Sequence, residues 1–101
     1  MNVLLNGRGG KVGSVLAPAL EAAGHTLAPS LAGADAMVDF TRPDVVVANV
    51  LAAVAAGVPA IVGTSGWETG EVDAAAREAG VPVLFAPNFA LGAVLMMSFA
   101  E

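Results

Sequence analysis

Residues 7–13 read GRGGKVG and follow the apolar run Val3–Leu5 by one residue. Gly7, Gly9, Gly10 and Gly13 enclose Arg8 and Lys11, two of only four basic side chains in the 101 residues. Glycine lets a backbone turn tightly and approach a ligand with no Cβ in the way. The free N–H groups at a helix start, with the helix dipole behind them, attract an anion. Gly7 then supplies the strand exit, Gly9 and Gly10 the open backbone, Gly13 a close helix packing and Lys11 a direct charge contact. Together with Val12 this turn suits the pyrophosphate of a dinucleotide. The spacing Gly7-x-x-Gly10-x-x-Gly13 departs from G-x-G-x-x-G, so its weight comes from its place between a strand and a helix. A purely structural turn remains the alternative at this point.

Other reactive chemistry is sparse. The chain has no Cys and no Tyr, and its single histidine is His25. His25 falls between the first helix and the second strand, away from the glycine turn, and reads as a helix-end or surface residue. No cluster has metal-ligand spacing, so no catalytic residue and no metal ligand is assigned.

Composition narrows the class. With 56% hydrophobic and 13% charged residues and a net charge of -5, the chain is a single globular domain and no general nucleic-acid binder. The absence of cysteine fits a reducing cytosol. Two uncharged stretches, 45–64 and 79–100, match a bilayer in length. Gly57 and Pro59 interrupt the first and Pro82, Pro87 and Asn88 the second, so neither reads as a span. No signal peptide is evident at the start.

The elements that must position the glycine turn alternate along the chain. Strands are expected at 2–6, 25–31, 36–40, 59–63 and 81–86. Pro29 places the second at a sheet edge. Helices are expected at 11–23, from Thr41 to about Ala56, at 71–79 and from Leu91 to Glu101. Thr41 and Thr69 are the expected N-caps, Pro43 and Asp44 the first turn of the second helix, and Gly24, Gly57 and Gly80 the stops. Apolar strands alternating with helices predict a doubly wound, Rossmann-like α/β domain. Its parallel sheet has about five strands with helices on both faces.

In such a sheet the loops after the strands share one rim, where ligands bind. Here those loops are GRGGKVG, TRPD, GTSGW and APNFALG. Arg8, Lys11 and Arg42 fall on this rim. Asp39, ending the third strand, is expected to accept hydrogen bonds from loop N–H groups. Arg42 either reaches a ligand or is a solvated helix-start residue.

With VDFTRP, GTSGW and APNFALGAVLMM following GRGGKVG in this order, the chain resembles the amino-terminal half of dihydrodipicolinate reductases, the 4-hydroxy-tetrahydrodipicolinate reductases of bacterial lysine biosynthesis. The resemblance covers essentially all 101 residues. It implies a cytoplasmic oxidoreductase of the diaminopimelate pathway that uses NADH or NADPH, with neither favoured. It places Gly7–Val12 at the pyrophosphate and Gly63, Thr64 and Ser65 along the nicotinamide and its ribose. Ala86, Pro87, Asn88 and Phe89 would close around the nicotinamide ring, and Phe40 joins them from the third strand. Ser65 replaces a family Thr and Trp67 a family Phe. Thr64 and Ser65 as turn formers, Asn88 as a turn residue and Phe89 as core remain the plainer alternatives.

Two features depart from the family. After the second strand the run LAPSLAGADAMVDF offers no charged reader of the adenosine ribose except Asp35, which would need its loop folded back. The family's segment there is longer. The second domain, with its His-His pair, nearby Lys and Lys-x-Asp-Ala-Pro-Ser-Gly-Thr run, is not represented. The resemblance therefore implies cofactor binding without turnover by these 101 residues, and a homotetramer built largely through the other domain. A stand-alone dinucleotide-binding sensor, or a fragment of another nicotinamide oxidoreductase, is the alternative. Met96, Met97 and Phe99 read as packing residues of the last helix.

Overall fold

Strand β1 (Asn2–Asn6) buries Val3 and Leu5 and turns Leu4 to the other side. In this computed structural model, which describes residues 1–85, it is the second strand of a five-stranded parallel sheet. The others are β2 (Thr26–Leu27), β3 (Ala36–Asp39), β4 (Ala60–Val62) and β5 (Val83–Phe85), in the order β2-β1-β3-β4-β5. All neighbours pair in parallel. The expected helix at 91–101, with Met96, Met97 and Phe99, lies outside the described residues.

Three helices cover the sheet: α1 (Gly13–Ala22), α2 (Pro43–Ala55) and α3 (Gly70–Ala79). Leu16, Ala17 and Leu20 of α1 bury Val3, Leu5, Val38 and Ile61 on one face. Val46, Val50, Ala53 and Val54 of α2, with Val72 and Ala76 of α3, bury Met37, Ala60 and Val62 on the other. The period of two along β3 divides Met37 from Val38 between these cores. The doubly wound reading thus holds.

From β1 the chain moves outward to β2 on one side, whereas from β3 it moves to β4 and β5 on the other. The loops after β1 and β3 therefore part at adjacent strand ends, the place where such sheets take ligands.

Several local expectations are corrected. The second strand is two residues long, because β2 pairs only with Asn2 and Val3. Ala28 N–H still donates to Val3 O at 2.7 Å, but the chain then turns back, and Asp35 N–H donates to Asn2 O at 2.7 Å. Residues 28–35 thus cross β1 without a helix, covering it with Leu31 and Ala34. Thr41 does not cap α2. Arg42 holds the N-cap position in extended backbone, Pro43 opens the helix and Asp44 lies in its first turn. Thr69 is at the N-cap of α3, yet its side chain makes no capping bond, since its backbone is already helical (φ -93°, ψ -8°). Gly80 ends α3 in the left-handed conformation, as expected.

Candidate functional site

The glycine turn is built by two backbone bonds: Gly10 N–H to Gly7 O at 2.9 Å and Ser14 N–H to Gly10 O at 2.9 Å. Gly7 has φ +88°, and a Cβ there would run into the Phe40 carbonyl at the end of β3. A Cβ on Gly13 would strike the Gly7 carbonyl and Arg8 Cα, so the start of α1 is packed directly on the turn. Gly7 thus holds the loops after β1 and β3 against each other, and Gly13 seats the helix on the turn. Gly9 is different: a Cβ there would meet nothing within 4 Å. Nothing inside the described chain calls for its missing side chain. Among the described residues, the amides of Arg8, Gly9, Lys11 and Val12 meet no backbone acceptor. Arg8 and Lys11 are exposed, and among the described residues neither forms an ion pair. Amides without a backbone acceptor, at the start of a helix and beside two exposed cations, have the chemistry that an anion site uses.

The second part of the rim lies beyond β3 and β4. Phe40 does not stand free in a cleft: its half-buried ring presses on Gly63, where a Cβ would overlap the ring edge, and on the α1-side core. Thr64, expected along the nicotinamide, turns its hydroxyl inward. It accepts from Thr41 N–H at 2.9 Å and donates to Asp39 Oδ1 at 3.0 Å. Ser65 is exposed. A cleft of about 340 Å³ is lined by Gly63, Thr64, Ser65, Trp67, Thr69 and Phe85, among others. The Trp67 indole donates to Thr64 O at 2.6 Å, and its ring lies 5.6 Å from that of Phe85. Ala86, Pro87, Asn88 and Phe89 lie outside the described residues.

Asp39 is buried at the end of β3 and collects hydrogen bonds from Thr41, Thr64, Asn6 and Asn49. Asp39 is expected to accept from loop N–H groups. One such donor is present, Thr41 N–H at 3.1 Å, and the rest are side chains. Asn6 and Asn49 were missed. The signal was available, because Asn49 interrupts the apolar stripe Val46–Val50–Ala53 of α2 and Asn6 ends the buried β1.

Of the remaining candidates, Arg42 stays at this rim while Asp35 and His25 do not. Arg42 is solvent-exposed and pairs with Asp44 at 3.3 Å, a contact of little energetic consequence. Asp35 is not a ribose reader: its Oδ2 accepts from Asn2 N–H at 2.7 Å, at the opposite ends of the strands. His25 stands at that same end, its Nδ1 3.4 Å from the terminal amine. A hollow of about 440 Å³ also lies there, lined by Met1, Pro59, Pro82 and Leu84 among others, with none of the candidate site residues. Among the described residues no group of acids and histidines could hold a metal. No helix among them is long and apolar enough to cross a membrane.

The sequence profile of the family described as "Dihydrodipicolinate reductase, N-terminus" matches residues 22–89. The chain belongs to this family. The amino-terminal domain of dihydrodipicolinate reductases binds NADH or NADPH. The 4-hydroxy-tetrahydrodipicolinate reductase of Beutenbergia cavernae is 44% identical over 115 positions, covering 99% of this chain and 47% of that protein. That of Mycolicibacterium smegmatis is 43% identical over 119 positions, covering 100% and 48%. The reductase of Nocardia farcinica is 47% identical over 73 positions, covering 68% of this chain. The chain spans about half the length of the first two reductases. An alignment of 115 positions against 101 residues leaves the Beutenbergia reductase at least 14 residues (115 − 101) without a counterpart here.

Proposed function

We propose that this chain is the nicotinamide-dinucleotide-binding part of a cytosolic 4-hydroxy-tetrahydrodipicolinate reductase acting in lysine biosynthesis by the diaminopimelate route. The observation that carries the reading is that the amides of Arg8, Gly9, Lys11 and Val12, set between β1 and α1 beside the reversal of the sheet, meet no backbone acceptor among the described residues. Membership of the reductase family supports it.

In this reading Gly7–Gly13 hold the pyrophosphate, with backbone N–H groups as donors and Arg8 and Lys11 as counter-charges. Gly63, Thr64 and Ser65 lie along the nicotinamide ribose, with Ser65 the hydroxyl free to reach it. Phe40 shapes this wall from beneath by fixing Gly63. Ala86, Pro87, Asn88 and Phe89 complete the nicotinamide side. The bound dinucleotide supplies a hydride, and these residues orient it and shield it from water. The cyclic dicarboxylate and the accompanying proton need groups that these 101 residues lack, so on their own they bind cofactor without turnover. The full reductase is a homotetramer assembled mainly through its other domain.

Titrating the chain with NADH while following Trp67 emission tests the proposal. A saturable change is expected, because Trp67 lines the cleft next to Thr64 and Ser65. No response up to millimolar NADH overturns it.

A further inference from the structure

Asp39 is fully buried, the one charged side chain with that property among the described residues, and no ion pair there involves it. Five donors reach its two oxygens. Oδ1 accepts from Thr41 N–H at 3.1 Å, Thr41 Oγ1 at 2.7 Å and Thr64 Oγ1 at 3.0 Å. Oδ2 accepts from the amides of Asn49 at 3.0 Å and Asn6 at 3.3 Å. A carboxylate has about four lone-pair sites, so its acceptor capacity is filled. A buried charge without a counter-ion is costly even when hydrogen-bonded, so stability alone does not account for it. The arrangement is therefore explained by what it connects.

Its partners come from four places: the end of β1, the loop after β3, the helix α2 and the loop after β4. Thr64 extends the connection, because its carbonyl accepts the Trp67 indole N–H at 2.6 Å and Trp67 packs on Phe85. Three successive contacts thus lead from the buried carboxylate to the wall of the cleft. We infer that Asp39 is the positioning residue of this rim. By holding the Thr64 hydroxyl it sets the loop 63–67 and the angle at which Trp67 closes the cleft. It touches no ligand itself. The inference rests on the rim being the dinucleotide site.

The test uses the 101-residue chain with Asp39→Ala, Thr64→Val and Thr64→Ser. Asp39→Ala removes both acceptor oxygens, whereas an asparagine would keep one for Thr64. Thr64→Val keeps the side-chain shape and removes the hydroxyl, which keeps the test decisive if Asp39→Ala fails to fold. With folding verified by circular dichroism, Thr64→Val and Asp39→Ala are expected to weaken NADH binding about tenfold, the scale of one hydrogen bond to a charged group. Both are also expected to red-shift Trp67 emission and raise its quenching by iodide in the absence of ligand. Thr64→Ser restores both readouts. The double variant is no worse than Asp39→Ala alone, since both break the same contact. A folded Thr64→Val chain with wild-type emission and quenching overturns the inference, as does a loss of stability that leaves Trp67 unmoved. Failure of the wild-type chain to bind NADH defeats the reading of the site, and the ligand-free Trp67 readouts then still decide the positioning role.

Discussion

At the scale of single residues, the turn separates glycines required by the fold from one that the fold does not require. Gly7 combines φ +88° with the Phe40 carbonyl where its Cβ would stand. Gly7→Ala is therefore expected to destabilise by about 1–3 kcal/mol from backbone strain alone, with the steric conflict added. Gly13→Ala faces the same obstacle from the Gly7 carbonyl. Gly9→Ala meets open space and ordinary φ, so its urea midpoint is expected to shift by no more than about 0.5 kcal/mol equivalent. Its new methyl group instead stands beside the free amides, and NADH affinity is expected to fall about tenfold, as for one lost hydrogen bond to an anion. Urea unfolding paired with cofactor titration checks both halves. A Gly9→Ala chain that binds NADH normally would show that the anion does not approach there.

Among the elements, α1 contains an internal cost. Pro18 lies inside the helix, where it has no N–H for the Ser14 carbonyl. Its side chain is exposed, so Pro18→Ala disturbs no core contact. We expect it to raise stability by about 1 kcal/mol, below the roughly 3 kcal/mol helix penalty of proline because the replaced residue also frees the unfolded chain. Thermal unfolding measures this directly, and a lower midpoint would contradict it. The same elements show what was legible in sequence. The apolar runs Val3–Leu5, Met37–Val38 and Ala60–Val62 and the stop at Gly80 located strands and helix ends, because burial and left-handed backbone leave marks in residue type. The caps were not legible. Thr41 has the right chemistry for an N-cap, but its hydroxyl reaches Asp39 at 2.7 Å, a competing partner that only the folded sheet brings near. Likewise, the inward turn of Thr64 follows from a contact 25 residues away in sequence. The rim was readable as a set of loops; which hydroxyl faces a ligand and which faces the core was not.

Across the whole molecule, the route from β2 to β3 is short and contains no helix. With β2 reduced to Thr26–Leu27, the outer side of β1 is paired only at Asn2 and Val3. The connection 28–35 returns at once to the amino ends of the strands. In dinucleotide folds the carboxyl end of this strand presents an acid to the ribose hydroxyls or a base to a 2′-phosphate. Residues 26–34 carry no charge, and Asp35 is held by Asn2 at the far edge. Neither form of the adenosine ribose therefore meets a charged reader from this segment. NADH and NADPH are expected to bind within about threefold of each other, a difference under 1 kcal/mol. In the proposed site Arg8 and Lys11 attract both through the shared pyrophosphate, so added salt is expected to weaken the two in parallel. Competitive titration of both cofactors at low and moderate salt measures the ratio. A preference beyond tenfold for NADPH that disappears in Arg8→Ala would instead assign the reading of the 2′-phosphate to the glycine turn itself.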